Sequence, residues 1–313
     1  MQYVTSTAIF MPGSKEIGII GLGKMGKNIA QQMLNKGYSV VAYNRSPAPL
    51  EEIAASGARK SASLKELASL LKPPRTIWVM LTSGEVTIEI IKEIASYCTS
   101  GDTIIDGSNS YYKDAVMLGK DLSGRGIRYL DAGCSGGPSG ALNGMCIMVG
   151  GDKSAFDASE GIFKDLSVPD GYLYTGELGT GHFVKMVHNA IEYGMMQSIA
   201  EGLELIENGP YKSVNLREVT RLWDHGSVIR GYLMQLASKA LSSDAHLESI
   251  APYINDTGEG KWSVGEALDY GVPFNVITAS LYERFSSRDQ KRFGDRVVAA
   301  LRHEFGGHEV KKE

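Results

Sequence analysis

Only three cysteines, Cys98, Cys134 and Cys146, occur in 313 residues. The number is odd and no Cys-x-x-Cys pair is present, which argues against a disulfide framework or a thiolate zinc site. Reduced thiols in a cytoplasmic protein are expected instead. The six histidines include no His-Glu-x-x-His, so no metal site is expected. Neither sign of charge dominates: 32 Lys and Arg stand against 36 Asp and Glu, a net charge of −4. Without a basic stripe or a polybasic segment, neither nucleic acid nor a membrane surface is an expected partner. No apolar run reaches the roughly 18 residues of a membrane span. Residues 1–15 lack the charged start and apolar core of a signal peptide and read as an N-terminal extension. What is present, 43% hydrophobic and 22% charged residues, suits a globular chain with a substantial core and a small-molecule partner.

From Glu16 onward, short β-branched runs alternate with amphipathic stretches. Strands are expected at 17–20, 39–43, 76–81, 103–106, 129–132 and 145–149, and helices at 24–36, 48–55, 63–71 and 86–97. Gly37 reads as a left-handed helix end, and Ser63 with Glu66 as a capping pair. That alternation predicts an α/β Rossmann-type doubly wound sheet, mostly parallel and covered on both faces. Past about Gly179 the texture changes. A long apolar-periodic helix over 182–207 ends at Asn208-Gly209-Pro210, and helices follow at 216–225, 230–241, 262–270, 276–285 and 293–304. The expected organisation is a dinucleotide-binding domain over 16–179 and an all-α C-terminal domain over 180–313, serving substrate binding and oligomerisation.

Gly21-Leu22-Gly23-Lys24-Met25-Gly26 lies directly between a strand and a helix. In that setting Gly21 permits the tight turn, Gly23 lets the backbone approach a pyrophosphate, and Gly26 lets helix and strand pack closely. The helix N-terminus supplies N–H groups and a positive dipole end. After the second strand comes Asn44-Arg45-Ser46, with no carboxylate for a ribose 2′-hydroxyl but with an arginine suited to a 2′-phosphate. NADP is therefore favoured, and NAD is the alternative.

Two further segments carry candidate chemistry. The run from Asp131 to Gly140, rich in small residues, leaves backbone N–H groups open to an anionic or hydroxylated ligand, although a structural glycine-rich turn has the same composition. In the long helix, Lys185, His188, Asn189, Glu192 and Tyr193 share one face within an arc of about 140°. Apolar residues flank this strip, which suggests a buried helix whose polar side faces a cleft, although a charged stripe on an exposed helix is ordinarily its solvated side.

With these motifs the chain resembles the 6-phosphogluconate dehydrogenase family in its short form, which lacks the duplicated helical half. The resemblance spans nearly the whole chain. It rests on the glycine loop, Asn44-Arg45-Ser46, Asp106-Gly107-Ser108-Asn109-Ser110, Ser135-Gly136-Gly137, the 185–193 segment, Gly260-Lys261-Trp262, Tyr270-Gly271-Val272-Pro273 and Arg302-x-x-Phe305-Gly306-x-His308. It implies oxidative decarboxylation of 6-phosphogluconate to ribulose 5-phosphate, with Lys185 as general base and Glu192 as general acid. It further implies that Asn109, Ser135, Gly136, Gly137, His188, Asn189 and Tyr193 hold the sugar acid. Arg284 and Arg302 would bind its phosphate, with Arg302 and His308 supplied by a partner subunit of a homodimer or homotetramer. Leu81, Thr82, Ser83 and Asn109 match the family's cofactor-binding positions, with Thr82-Ser83 standing where the family has Lys-Ala. Pro138-Ser139 replaces an acidic pair of the long form, and Asp256-Thr257-Gly258-Glu259 lacks that form's lysine and threonine. The rival readings are a 3-hydroxyisobutyrate-type dehydrogenase and a non-catalytic dinucleotide-binding scaffold.

Overall fold

A computed structural model describes residues 15–312. Positions 1–14 of the expected extension lie outside the described residues. The chain divides by its packing into two units, Met1–His188 and Asn189–Glu313.

The first unit runs β1 (Glu16–Ile20), α1 (Lys24–Asn35), β2 (Ser39–Tyr43), α2 (Pro47–Ala55), β3 (Arg59–Lys60), α3 (Leu64–Leu70), β4 (Thr76–Val79) and α4 (Glu85–Ser96). It continues with β5 (Thr103–Asp106), α5 (Tyr112–Ser123), β6 (Arg128–Ser135), α6 (Gly137–Asn143), β7 (Met145–Gly151), α7 (Lys153–Leu166), β8 (Ser167–Gly176) and the start of α8 (Thr180–Asn208). The eight strands lie in the order β3-β2-β1-β4-β5-β6-β7-β8. All neighbouring pairs are parallel except β6 with β7. The chain winds outward from β1 to β3 and returns to β4 on the other side of β1. This reversal opens a crevice at the carboxyl ends of β1 and β4, where ligands bind in such sheets.

The central strands are buried on both faces, so their sequences read as continuous apolar runs. One core contains Ile29 and Met33 of α1, Trp78 of β4 and Phe156 and Phe163 of α7. The other contains Leu64 and Leu67 of α3, Ile91 and Ile94 of α4 and Leu118 and Leu122 of α5. Ser63 caps α3 by accepting from the Glu66 N–H at 3.1 Å, while the Glu66 carboxylate reaches back to the Ala62 N–H. Five elements go beyond the sequence expectation: β3, α5, α6, α7 and β8. The edge strand β8 carries Pro169 and Asp170, the latter at φ 59°, and has no clean apolar alternation. Helix α6 forms from a glycine-rich stretch because Pro138 stands in its first turn.

The second unit contains the remainder of α8 and α9 (Leu216–Asp224), α10 (Tyr232–Ser243), α11 (Glu259–Asp269), α12 (Asn275–Ser286) and α13 (Phe293–Gly306). Helices α9 and α10 pack together through buried Leu216, Thr220, Met234 and Leu241. Helix α13 buries none of its residues and leaves Phe293, Leu301 and Phe305 exposed. Among the described residues, no helix is long and apolar enough to cross a membrane.

Candidate active site

Two of the three loop glycines are required by their surroundings, and the third borders open space. Gly21 has φ 92°, and a Cβ there would fall 2.2 Å from the Met80 carbonyl oxygen. A Cβ on Gly26 would fall 2.0 Å from the Gly21 carbonyl oxygen, so α1 lies directly on the turn. A Cβ on Gly23 would meet nothing within 4 Å. Gly23 is also the N-cap of α1, with no side chain hydrogen-bonded to the first-turn N–H groups. Open space, uncapped N–H groups and the helix dipole together fit the pyrophosphate of a dinucleotide.

Neighbouring segments are tied to this loop. The Asn44 carboxamide accepts from the Leu22 N–H at 2.9 Å and donates to the Ser46 carbonyl at 2.9 Å, leaving Arg45 and Ser46 exposed at the end of β2. Leu81 packs where Gly21 has no side chain, and its N–H donates to the Ser108 hydroxyl at 3.0 Å. Thr82 is exposed and Ser83 half-buried. Asp106, fully buried at the end of β5, accepts from the Ser108 N–H, the Ser110 hydroxyl and the Tyr129 hydroxyl, each at 2.9 Å. Burial, with Asp106 and Asp131 nearby, pushes the Tyr129 hydroxyl well above its ordinary pKa. The turn folded around Asp106 places Asn109 at φ 53°. Its carboxamide takes the Cys134 N–H at 2.9 Å and donates to the Cys134 carbonyl at 3.2 Å. Asn109 thus steadies the strand end that leads into Ser135-Gly136-Gly137. Helix α6, which follows those residues, packs on α1, where Asn28 donates to the Pro138 carbonyl at 2.7 Å.

Lys185 is brought to the same strand end by glycines. A Cβ on Gly133 would lie 2.3 Å from the Lys185 Cβ, and one on Gly181 would lie 2.2 Å from the Asp131 carbonyl oxygen. The first turns of α8 therefore rest against the backbone of β6. Lys185 is only 5% exposed. Its Nζ lies 3.4 Å from His188 Nδ1, and His188 Nε2 lies 3.2 Å from the Ser135 hydroxyl. An ammonium at 185 donates to Nδ1, which keeps the hydrogen on Nε2 and makes His188 the donor to Ser135. Burial pushes the adjacent Cys134 thiol up to about 12 against the opposite pull of the Lys185 charge. At such a value it is inert as a nucleophile.

The second unit gathers its own group of side chains. Asn189 donates to Glu259 at 2.9 Å, and the Thr257 hydroxyl donates to the same carboxylate. The Thr257 N–H donates to the Tyr193 hydroxyl at 3.4 Å. The Arg284 guanidinium lies 3.6 Å over the Tyr193 ring and donates to the Asn255 carbonyl at 2.7 Å. Arg288 pairs with Asp256 at 2.8 Å. The Asp256-Thr257-Gly258-Glu259 segment therefore works as a brace for Asn189, Tyr193 and Arg288. Glu192 is half-buried. Arg302 and His308 are exposed and do not join this group. The His308 carbonyl instead accepts from His303 Nδ1 at 2.9 Å. The apolar flank of α8 also departs from expectation: Val184, Ile191 and Met195 are 40–52% exposed, so the helix is not enclosed by its own chain.

Sequence reasoning assigned no individual role to Asp106, Tyr129 or His182, and took Asp131 and Gly133 only as members of a ligand-facing run. The available signal was an aspartate closing each of two apolar runs, Ile104-Ile105-Asp106 and Tyr129-Leu130-Asp131, the first at the end of β5 and the second midway along β6.

Two family profiles match the chain. Residues 16–176 match the NAD binding domain of 6-phosphogluconate dehydrogenase, and residues 181–312 match the 6-phosphogluconate dehydrogenase C-terminal domain. YqeC of Bacillus subtilis, by name a candidate 6-phosphogluconate dehydrogenase, is 46% identical over 95% of this chain and 100% of its own length. The NAD(+)-dependent, decarboxylating 6-phosphogluconate dehydrogenase of Haloferax volcanii is 36% identical over 95% of this chain and 99% of its own. Among solved structures, 6-phosphogluconate dehydrogenase of Plasmodium falciparum, described apo and with NADP+ or 6-phosphogluconate, superposes with a TM-score of 0.80. It is 29% identical, covering 95% of this chain and 66% of that one.

Proposed function

The chain belongs to the 6-phosphogluconate dehydrogenase family, and on that premise we propose that it oxidises and decarboxylates 6-phosphogluconate to ribulose 5-phosphate and CO2. The observation that carries the reading is the buried Lys185, held in one polar chain with His188 and Ser135. A dinucleotide held by residues 21–26, with Asn44, Arg45, Ser46, Leu81, Thr82, Ser83 and Asn109 around it, supplies the two-electron oxidation at the substrate C3. Lys185 takes the proton of the 3-hydroxyl as that carbon becomes a ketone. The ketone is β to the carboxylate, so the C–C bond electrons flow toward it as CO2 departs. Lys185, now an ammonium, hydrogen-bonds the carbonyl oxygen that receives them. Glu192, two helical turns further along α8, donates the proton that completes the product at C1.

Ser135, Gly136, Gly137, Asn109, His188, Asn189 and Tyr193 present the hydroxyl and N–H groups that hold the sugar acid. Arg284, set on the Tyr193 ring, offers a guanidinium to the phosphate. The exposed Arg45 and the absence of a carboxylate after β2 favour NADP over NAD. The unburied α13 and the exposed flank of α8 support a homodimer or homotetramer, in which Arg302 and His308 serve a neighbour's site. The free Cys98, Cys134 and Cys146 fit the reducing cytoplasm.

Steady-state assays with 6-phosphogluconate and with 3-hydroxyisobutyrate, each with NADP and NAD, test this reading. CO2 release from 6-phosphogluconate alone is expected, with kcat/KM higher for NADP and the preference lost in R45A. K185M should bind dinucleotide without turnover, and E192Q should be slowed at the final protonation. Turnover of 3-hydroxyisobutyrate without CO2, or near-normal rates in K185M, would overturn the assignment.

A further inference from the structure

Two buried aspartates take no part in the chemistry above, yet they frame the helix that carries Lys185. Asp106 and Asp131 are register partners on the parallel pair β5–β6, and neither has any exposed surface. The Asp131 carboxylate accepts from the Gly179 N–H through one oxygen and from the His182 N–H through the other, both at 2.8 Å. It thereby caps the start of α8 from the neighbouring strand rather than from the helix's own sequence. Room for the carboxylate comes from Gly150, where a Cβ would sit 2.7 Å from its oxygen. His182, 1% exposed, makes a second attachment, with Nε2 3.1 Å from the Asp106 carbonyl oxygen. A carbonyl only accepts, so Nε2 carries the hydrogen.

We propose that Asp131 and His182 are positioning residues that set the height and rotation of α8 so that Lys185 meets the substrate hydroxyl. This rests on Lys185 being the base. Lys185 follows His182 by one turn, and side chains three apart lie on one side of a helix. Asp131 and Gly133 share one face of β6, because strand side chains alternate. The strand that receives the lysine stem therefore also holds the helix cap. For stability alone an ordinary Ser, Thr or Asn cap would serve. A carboxylate with no exposed surface is costly to bury, but it fixes two helix N–H groups at once. An asparagine can accept only one of them and turns an NH2 group toward the other.

The test uses the full chain with 6-phosphogluconate, unlabelled and deuterated at C3. In D131N, kcat is expected to fall about ten- to hundredfold with the dinucleotide Kd unchanged. The deuterium isotope effect on kcat/KM should rise, because a displaced base makes the oxidation step more limiting. H182L should behave likewise, and H182Q, which keeps a donor toward Asp106, should recover most of the rate. A purely structural role predicts a lower unfolding midpoint with unchanged kcat and isotope effect; that result, or a D131N chain that fails to fold, would overturn the proposal. K185M is measured alongside. An active K185M refutes the base assignment itself, whereas an inactive K185M beside a normal D131N refutes only the positioning.

Discussion

Substituting Gly133 by alanine should separate stability from catalysis in a calculable way. The new Cβ would stand 2.3 Å from the Lys185 Cβ, 2.8 Å from the Gly181 carbonyl oxygen and 3.0 Å from the Lys185 Cγ. Carbon–carbon contacts settle near ~3.5–4.0 Å. The shortest contact is to a Cβ, which no rotamer change can move, so the first turns of α8 must retreat by more than about 1 Å. Overpacking of this kind costs about 1–3 kcal/mol. A misplacement of about 1 Å at a reacting group costs roughly a hundredfold in rate. G133A should therefore fold with a lower denaturation midpoint, bind dinucleotide normally and reduce it about a hundredfold more slowly at saturating substrate. The matched control is G161A on α7, an exposed helix position where an added Cβ meets nothing within 4 Å. It should gain about 0.5–1 kcal/mol and keep its rate. A G133A enzyme with wild-type kcat and midpoint would refute the claim that glycine at 133 seats the lysine helix.

Other expectations follow from single contacts. Asp152 caps α7 through the Ala155 N–H, so D152A should cost about 1 kcal/mol in denaturant unfolding. The Ser154 hydroxyl first, and then the Ala155 N–H, hold its carboxyl below the ordinary value. The cap therefore contributes fully above the unfolded Asp pKa of about 3.9 and is lost as pH falls through the folded value. Wild type and D152A should converge at low pH, and a constant gap would refute this. Cys146 is exposed and Cys134 buried, the latter with its thiol pushed up to about 12. At about pH 8, mass spectrometry should find native Cys146 alkylated and Cys134 untouched until unfolding. R284M should raise KM for 6-phosphogluconate about ten- to hundredfold with little change in kcat, and a reversed split would argue against phosphate binding.

Where period and turn chemistry dominate, the fold is readable from the residues. The strand at 39–43, the glycine loop and the capping pair Ser63–Glu66 depend on local rules that tertiary context does not disturb. Helix α6 is hidden because four glycines and a proline within 133–140 suggest an irregular turn, and the helix is stabilised by packing on α1. Strand β8 is hidden because an edge strand can expose most of its residues and carry a proline. Helix α7 has legible features in Asp152, Phe156 and Phe163, but two glycines precede it and one interrupts it. For the candidate site, the shared face of Lys185, His188, Asn189, Glu192 and Tyr193 follows from the helical period alone. The roles of Asp106 and Asp131 do not, because an aspartate after an apolar run ordinarily marks a turn. Only the parallel register of β5 and β6 brings the two carboxylates together under α8.

The Asn44 side chain bears on how nucleotide preference can change. It holds the glycine loop through Leu22 and closes its own turn through Ser46, leaving the two following side chains in solvent. On the proposed cofactor role of Arg45, scaffolding and discrimination would fall to adjacent but separate positions. Substitutions at the exposed positions 45 and 46 would then leave the Asn44 hydrogen bonds to the glycine loop intact. On that reading, one or two exposed substitutions would switch the electron acceptor without disturbing the turn that holds the glycine loop.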